Sequence, residues 1–393
     1  MNYFKDKLDT IKDNNLYRTL KHISSAQEPK VTIDNKEYIL LGSNNYLGLC
    51  NDQRVKTAAI NAATMYGVGS GGSRLTTGSH VLHKELENKL AIFKQTDDCL
   101  IYSSGYMANL GVISSICNRH WVVFSDRLNH ASIIDGIKLS GAKMVRYDHC
   151  NIKDLKKKIE LYKGSYNLLV TDGVFSMDGD ISPLNEIVSL CKEHNIMVMV
   201  DDAHGTGTIG KDGQGVDSYL NVSSDIDIKV GTLSKAIGCE GGYVCSSKSI
   251  IDYLRNTSRS FIYSTSLSPI IISSALTALD IISCNSELRN TLLNNTRYFR
   301  ENLVSLGFNT LDSITPIIPI FVGDSLTAQN FSKQLLNEGI YIPCIRPPTV
   351  PEGTSRLRVS LMATHTREEL DYVLNKLSII GKKLNIIGEL NEK

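Results

Sequence analysis

The sequence predicts an α/β protein with a large, mostly parallel, doubly wound sheet and a smaller α+β unit at the carboxyl end. From about residue 78, short apolar segments alternate with helical stretches, a pattern that requires crossover connections and therefore parallel strands. After Ser268 the alternation gives way to long helical segments, a few short strands and a closing helix. The 393 residues exceed what one hydrophobic core usually supports, so a second, smaller unit is expected.

Hydrophobic periodicity predicts the individual elements. Residues 3–22 are expected to be helical, and 31–33 and 38–41 to form a hairpin through a turn at 34–36. In the large unit, the predicted strands are 99–102, 121–124, 143–147, 167–171, 196–200, 226–230 and 242–245. The helices between them are predicted at 80–93, 108–117, 152–162 and 184–194. In the smaller unit, the predicted strands and the closing helix are 315–321, 341–342, 357–361 and 368–380.

The pattern divides the chain into three expected parts. These are an N-terminal segment at 1–50, a large α/β domain at 51–285 that carries the candidate site, and a smaller α+β domain at 286–393. The N-terminal hairpin is expected to join the smaller domain.

Composition and charge exclude several classes of function. Lys and Arg number 42 against 41 Asp and Glu, so the chain lacks the basic excess typical of nucleic-acid binders. No apolar run approaches the roughly 20 residues that a membrane helix needs, and the first residues do not resemble a signal peptide. The nine cysteines are scattered without a C-x-x-C pair, which indicates free thiols in a reducing, cytoplasmic setting.

Lys235 lies just past a predicted buried strand, in the segment KVGTLSKAIG at 229–238. Ligands of open α/β sheets bind at the carboxyl ends of the strands, so this side chain is expected at the ligand-binding edge. An amine that forms a Schiff base has to be partly desolvated, because burial lowers its pKa and makes it nucleophilic. Thr232 and Ser234 beside it offer hydroxyls to a phosphate. A lone lysine is more often an exposed loop residue, and the neighbouring motifs decide between the two interpretations.

Asp201 follows five apolar residues at 196–200 and begins the segment DDAHGTG. A carboxylate at a buried position is costly unless it meets a cation or hydrogen-bond donors. The protonated ring nitrogen of pyridoxal phosphate is such a cation, and the charged ring then serves as an electron sink. The alternatives are a structural Asp that caps the glycine-rich turn and an Asp/His metal site. We expect no metal, because no third or fourth ligand follows at a suitable spacing.

Three further segments follow predicted strands at the same edge of the sheet. Gly105 and Tyr106 lie between a strand and a helix, where free N–H groups bind a phosphate, although a plain capped helix has the same pattern. His130 also begins a helix and is suited to stack on a flat ring, although a lone histidine is more often structural. Ser176 is expected to reach a ring hydroxyl, while its segment alone looks like an ordinary turn.

The segment GVGSGG at 67–72 matches the G-x-G-x-x-G fingerprint of dinucleotide-binding sites. That fingerprint requires a strand immediately before it, and residues 55–66 are predicted to be helical instead. A glycine-rich loop near an active site or a subunit interface is therefore the better interpretation.

Arg356 and Arg358 alternate along a predicted strand, so both side chains project from the same face. A guanidinium that points into a site binds a carboxylate through two hydrogen bonds. An exposed, salt-bridged edge strand has the same alternation, but the proline-rich loop that precedes these residues favours a binding role.

Six segments together resemble the α-oxoamine synthase family of fold-type I pyridoxal-phosphate enzymes, over nearly the whole chain from about Arg18 onward. They are 44–49 (NNYLGL), 69–75 (GSGGSRL), 104–106 (SGY), 175–180 (FSMDGD), 201–207 (DDAHGTG) and 232–235 (TLSK). Residues 345–358 resemble, more narrowly, the branch of the family that condenses L-alanine with a pimeloyl thioester.

The resemblance implies a role for each candidate residue. Lys235 would carry the cofactor and transfer protons, with His130 and Asp201 as catalytic partners at the ring. The cofactor-binding residues would be Gly105, Tyr106, His130, Ser176, Asp201, His204, Thr232 and Lys235, with Thr265 supplied by a partner subunit. The substrate-binding residues would be Arg18, Asn44, His130, Thr349 and Arg358. Asp172 departs from the glutamate that the resemblance suggests, and it is expected to lie off the reacting centre.

The resemblance also implies the reaction and the partners. L-alanine would be joined to a pimeloyl group carried by CoA or by a carrier protein, with release of CO₂ and the free thiol. A homodimer with shared active sites is expected. Two alternatives stay open, namely a relative that uses glycine and acetyl-CoA, and a non-catalytic partner subunit. The second alternative predicts loss of the lysine or of its Asp partner, and Lys235 and Asp201 are both present.

Overall fold

The N-terminal segment contributes one helix and one hairpin in the computed structural model, which describes residues 2–13 and 16–388. Helix α1 is Tyr3–Asp13, and strands β1 (Lys30–Ile33) and β2 (Lys36–Leu40) pair antiparallel, which confirms the predicted hairpin. The prediction of a helix over 3–22 is wrong in its second half, because residues 16–22 are irregular. All residues of α1 are described and none is buried, so no packing supports a longer helix.

The large sheet has seven strands in the spatial order β3-β9-β8-β7-β6-β4-β5. Its strands are β3 (Asp98–Tyr102), β4 (Trp121–Asp126), β5 (Lys143–Tyr147), β6 (Tyr166–Asp172), β7 (Met197–Asp201), β8 (Ile228–Thr232) and β9 (Gly242–Ser246). Strand β9 runs antiparallel to both of its neighbours, and the other pairings are parallel. The mostly parallel sheet and its seven predicted strands are confirmed.

Helices cover both faces of this sheet. They are α2 (Gln53–Tyr66), α3 (Val81–Phe93), α4 (Gly105–Ile116), α5 (Ala131–Ser140), α6 (Ile152–Tyr162), α7 (Leu184–Glu193), α8 (Val216–Tyr219), α9 (Lys248–Thr257) and α10 (Arg259–Ile262). Leu100 of β3 joins a core formed with α4, α5 and α9, whereas Ile101 joins a second core formed with α3, α6 and α7. Side chains alternate across a strand, so one sheet supports two cores and is doubly wound.

The carboxyl-terminal part begins with two helices and continues as α+β structure. Its elements are α11 (Pro269–Cys284), α12 (Glu287–Ser305), β10 (Ile317–Gly323), α13 (Ser325–Asn337), β11 (Ile340–Tyr341), β12 (Cys344–Ile345), β13 (Ser355–Ser360) and α14 (Arg367–Lys383). Strand β11 pairs with β2, which ties the N-terminal hairpin to this part. The domain boundaries at 50 and 285 stay a prediction.

Among the described residues, no single helix has both the length and the apolar character of a membrane span. Helices α11 and α12 reach that length and composition only as a pair, with a bend of 74° between them.

Of the seven strands described for the large sheet, all except β9 end at one edge. Parallel strands share their direction, so the residues that follow their carboxyl ends are brought together. Strands β6, β7 and β8 end at Asp172, Asp201 and Thr232, and β4 ends at Asp126. Strand β3 runs antiparallel to β9, and β9 antiparallel to β8, so β3 also points to this edge and delivers the residues after Tyr102.

A buried ionic network lies beside this edge. Lys94 Nζ, which is fully buried, lies 2.9 Å from Asp202 Oδ2 and 3.6 Å from Asp217 Oδ1. Lys229 Nζ lies 2.7 Å from Asp217 Oδ2. Burial disfavours the charged form of Lys94, but the carboxylates of Asp202 and Asp217 outweigh burial and raise the Lys94 pKa. Lys94 therefore stays protonated, and Lys94 and Lys229 overcome burial to lower the Asp217 pKa to about 2, whereas burial raises the pKa of Asp202.

Lys94→Ala should lower the free energy of unfolding by about 3–5 kcal/mol, because it leaves Asp202 buried and unpaired. Chemical denaturation measures this change. Lys89→Ala is a suitable control, because Lys89 forms an exposed ion pair with Asp280 at 2.8 Å and its loss should cost at most about 1 kcal/mol. If both variants lost the same free energy of unfolding, burial would not be what makes the Lys94 ion pair important for stability.

Candidate active site

A cavity of about 200 Å³ lies at the carboxyl edge of the large sheet. It is lined by residues from the loops after β3, β4, β6, β7 and β8. The lining residues are Ser104, Gly105, Tyr106, Asn109, His130, Ser132, Asp172, Val174, Ser176, Asp201, Ala203, His204, Thr232, Ser234 and Lys235. Eight residues predicted to bind the cofactor are thus brought together, and they come from five separate segments of the chain.

Lys235 lies in the turn after β8, and its Nζ is 2.7 Å from Nε2 of His204. Burial lowers the pKa of Lys235 from 10.5 to about 8, although the carboxylates of Asp201 and Asp172 act in the opposite direction. The amine therefore loses its proton close to neutral pH, which is the property a nucleophilic lysine needs.

Asp201 ends β7 and lines the same cavity as Lys235. Its Oδ1 accepts a hydrogen bond from the Ala203 N–H at 3.0 Å, and its Oδ2 accepts one from Asn109 Nδ2 at 2.6 Å. Asn109 Nδ2 also donates to Ser132 Oγ at 2.9 Å, so the amide is fixed in turn. The carboxylate is thereby held in one orientation toward the cavity.

Asn109 is a site residue that the sequence reasoning missed. It lies four residues after Gly105 on α4, and residues four apart share one face of a helix. The spacing from Gly105 was therefore a usable signal, but only once the start of α4 was known to face the site.

The start of α4 forms the part of the cavity suited to a phosphate. Ser104 caps the helix, and its hydroxyl accepts a hydrogen bond from Met107 N. A Cβ atom at Gly105 would lie 3.3 Å from Thr232 Cβ, so glycine leaves room that another residue would fill. Thr232 Oγ1 lies 2.7 Å from Ser234 Oγ, which places two hydroxyls beside the positive end of the helix.

His130 caps α5 and presents its ring to the cavity. Its backbone N–H donates to Asp172 Oδ2 at 3.2 Å, and its Nδ1 lies 2.7 Å from Ser132 Oγ. Burial lowers the pKa of His130, although the carboxylate of Asp201 opposes this. A neutral, fixed imidazole is suited to stack on a flat aromatic ring.

The expectation that Asp172 lies off the reacting centre is wrong, because Asp172 lines the cavity together with Lys235 and Asp201. Strand β6 ends at Asp172, which pairs in register with Asp201 at the end of β7. Burial and the nearby Asp201 carboxylate raise the Asp172 pKa well above its usual value. Its buried Oδ1 has no hydrogen-bond partner within residues 2–13 and 16–388.

A chain of polar contacts joins Lys235 to the predicted substrate residues. The Tyr46 hydroxyl lies 2.6 Å from Nδ1 of His204 and donates to Asn44 Oδ1 at 3.3 Å. The two Nη atoms of Arg358 donate to the same Asn44 oxygen at 3.2 Å. Burial and the positive charges of Lys235 and Arg358 hold the His204 pKa well below its usual value. Tyr46 was missed as a site residue, although it stands in the NNYLGL segment.

Arg358 and Arg356 of β13 both turn toward the loop after β6. The Arg358 guanidinium donates to the Ser176 carbonyl, and Arg356 forms an ion pair with Asp178. Arg358 Nη1 also donates to Ser360 Oγ at 2.7 Å. The strand alternation predicted from the sequence therefore places both guanidinium groups on the side of the site, with Arg358 nearer the cavity residues.

Five predicted residues do not line the cavity of Lys235. Asn44 and Arg358 reach it only through the contacts just described, and Arg18, Thr349 and Thr265 lie farther away. Arg18 Nη2 donates to Thr349 Oγ1 at 3.5 Å, and both residues line a second, more open cavity of about 650 Å³. Thr265 is exposed in the loop between α10 and α11, where it forms a β-bridge with Ser73. Within the described part of one chain, Thr265 does not line the cavity, so its expected role requires a second subunit.

The sequence profile described as aminotransferase class I and II matches residues 36–377. The chain belongs to this family. An 8-amino-7-oxononanoate synthase from Lysinibacillus sphaericus is 48% identical over 98% of this chain and 99% of its own length. The fold class and the resemblance predicted from the sequence are confirmed.

Two solved structures carry the same architecture. A serine palmitoyltransferase from S. paucimobilis, with a bound PLP–myriocin aldimine, is 33% identical and covers 98% of both chains with a TM-score of 0.93. An 8-amino-7-oxononanoate synthase from Francisella tularensis is 30% identical, with a TM-score of 0.77 over 88% of this chain and 98% of its own.

The depressed pKa of Lys235 predicts how cofactor-free protein takes up pyridoxal phosphate. Only the neutral amine attacks an aldehyde, so the uptake rate should rise with pH, pass through an inflection near 8 and then level off. Stopped-flow measurement of the visible absorbance follows the uptake. An inflection near 10.5, the usual lysine value, would contradict the buried position of the amine.

Proposed function

We propose that this protein is an 8-amino-7-oxononanoate synthase of biotin biosynthesis, which depends on pyridoxal phosphate. It joins L-alanine to a pimeloyl thioester and releases CO₂ and the free thiol. The observation that carries the proposal is the position of Lys235 and Asp201, whose amine and carboxylate line one cavity at the carboxyl edge of the sheet. Full-length relatives with 44–48% identity bear the name of this activity.

The cavity offers a suitable partner to each polar group of pyridoxal phosphate, from the ring nitrogen to the phosphate. Asp201 would face the ring nitrogen, since Asn109 and the Ala203 N–H hold its carboxylate in place. His130 would stack on the ring. When bound, the cofactor withdraws electrons from the carbon that loses a proton. Gly105, Tyr106 and Thr232 are proposed to contact the phosphate. Ser176 and His204 are proposed to contact the ring hydroxyl.

Lys235 is the group proposed to move the proton. With a pKa of about 8, its amine accepts a proton readily and releases it again near neutral pH. His204 stays neutral because its pKa is held low, so Nε2 accepts a hydrogen bond from the charged amine. The Tyr46 hydroxyl at Nδ1 fixes the imidazole from its other side. These contacts orient Lys235 Nζ without neutralising it.

Arg358 is proposed to bind the carboxylate of the amino acid. Its side chain is buried, and the Ser176 carbonyl and Ser360 hydroxyl fix the guanidinium in place. Its Nη2 donates to Asn44 Oδ1 at 3.2 Å, and a substrate carboxylate can replace this uncharged acceptor with a stronger, oppositely charged one. Asn44 would then turn to the same substrate.

The acyl donor is proposed to enter by the open cavity of Arg18 and Thr349. The basic residues Lys21, Lys333 and Arg346 line the same cavity, and its described lining contains no acidic side chain. This charge suits a negatively charged donor, a property that CoA and an acyl carrier protein share.

We also propose that the enzyme is a cytoplasmic homodimer with shared active sites. Thr265 is exposed and lies away from the cavity of its own chain, as expected of a residue that serves the partner. All nine cysteines are free thiols, which supports a reducing compartment.

Purified holoenzyme supplied with L-alanine and pimeloyl-CoA should form a product with the mass of 8-amino-7-oxononanoate. Glycine lacks the methyl group of alanine and should be used about 10- to 100-fold less efficiently, as judged by kcat/KM. Mass spectrometry of the product and thiol release measure both values. Faster turnover of glycine with acetyl-CoA would overturn the proposal in favour of a glycine acetyltransferase.

Lys235→Ala should still bind pyridoxal phosphate through the other cavity residues but should lose turnover, because no group remains to move the proton. The cofactor content after gel filtration and the rate of thiol release test the two halves separately. Lys248→Ala, which removes an exposed lysine, is the matched control and should behave as wild type. Measurable turnover by Lys235→Ala would contradict its catalytic role.

A further inference from the structure

His149 lies outside the cavity, between two carboxylates that belong to different turns of the site. Its Nδ1 lies 3.0 Å from Asp126 Oδ1, and its Nε2 lies 2.9 Å from Asp180 Oδ2. Both ring nitrogens donate only in the imidazolium form. Burial disfavours that charge, but the hydrogen bonds that the ring donates to Asp126 and Asp180 raise the His149 pKa to about 12.

Asp126 shapes the turn that delivers His130 to the cavity. It is the last residue of β4 and is almost fully buried. Its Oδ1 accepts a hydrogen bond from Leu128 N at 2.8 Å, and its backbone carbonyl accepts one from Asn129 N at 3.3 Å. The turn ends at His130, so the contacts of Asp126 help to position the His130 backbone from which the ring projects into the cavity.

Asp180 closes the turn that carries Ser176. Its backbone carbonyl accepts a hydrogen bond from Phe175 N at 3.0 Å, which brings the two ends of the 175–180 segment together. The Phe175 ring also meets the His149 ring edge to face, with centroids 4.4 Å apart. The Ser176 carbonyl accepts the hydrogen bond from Arg358, so this turn holds the proposed carboxylate-binding group.

We propose that His149 is a positioning residue, whose imidazolium fixes the His130 turn and the Ser176 turn relative to each other and so sets Arg358 for the substrate carboxylate. This inference rests on the proposed function. Cys150 is the other titratable neighbour, with Sγ at 3.7 Å from both His149 Nε2 and Asp180 Oδ2. Burial raises the Cys150 pKa, so the thiol stays neutral and adds no charge to the contact.

The role predicts a change in amino-acid binding that exceeds the change in chemistry. Loss of the imidazolium releases the Ser176 turn, which is one of the groups that hold the Arg358 guanidinium. Lys235 and Asp201 are contacted instead by His204 and by Asn109 of α4, which belong to neither turn. Displacements of about 1 Å at such positioning groups cost up to about 100-fold in activity. KM for alanine should therefore rise more than kcat falls.

His149→Gln tests this, because glutamine keeps the polarity and loses the charge. In the holoenzyme, the Kd for L-alanine, followed by the change in visible absorbance of the bound cofactor, should rise about tenfold or more. Cofactor content should stay at the wild-type level. His149→Arg keeps a cation that can face two carboxylates and should recover part of the affinity. His120→Gln, an exposed histidine before the other end of β4, is the matched control.

Asp180→Asn provides a second variant should His149→Gln fail to fold, since Asp180 is partly exposed and the amide keeps a polar contact. It should weaken alanine binding in the same direction. Folded variants with wild-type Kd and KM would overturn the inference. A stoichiometric metal ion in the wild type that is lost in His149→Gln would also overturn it, because a metal would then replace the proton. Failure of the wild type to use alanine would instead count against the proposed function.

Discussion

The chemistry of the site depends on one constraint. Charged groups are brought together at a buried edge of a parallel sheet, where burial changes their pKa values. Strands β6 and β7 end in Asp172 and Asp201, and the turn after β8 adds Lys235, all lining one cavity. Burial lowers the Lys235 pKa and raises that of Asp172, so neither group keeps its ordinary affinity for protons. The parallel arrangement of the strands thus shifts the pKa values of these groups toward values useful for proton transfer, without any contribution from a ligand.

The parts of the site that the sequence could predict are those that follow from strand direction alone. Lys235 and Asp201 were placed at the shared edge because each follows an apolar strand, and this needs no knowledge of side-chain packing. The same rule places Asp172 at this edge, because it ends β6, whereas the family resemblance alone suggests a position off the reacting centre. Asn109 and Tyr46 could not be found this way, because tertiary packing decides which side of a helix or loop meets the cavity.

The fold was predictable where burial creates a strong pattern and was missed where burial is absent. The strands of the large sheet are largely buried between two flanking cores, apart from the edge strand β5 with its exposed Lys143 and Arg146, and all seven were predicted. Helix α1 has helical spacing but buries no residue, so its pattern did not reveal where it stops. The N-terminal hairpin belongs with the carboxyl-terminal part through β2 and β11, a long-range pairing that helps bring Asn44 to Arg358.

The two adjacent aspartates at the end of β7 show how one negative charge at this edge is left available to a ligand. Neighbouring residues of an extended chain point to opposite sides, so Asp201 faces the cavity and Asp202 faces the interior. Asp202 is neutralised by buried Lys94 at 2.9 Å. Asp201 instead receives neutral donors, Asn109 Nδ2 and the Ala203 N–H, which orient its charge without cancelling it. Had Lys94 reached Asp201, no net charge would remain for a cationic ring. The separation of the two carboxylates therefore gives one a structural role and leaves the other free for a ligand.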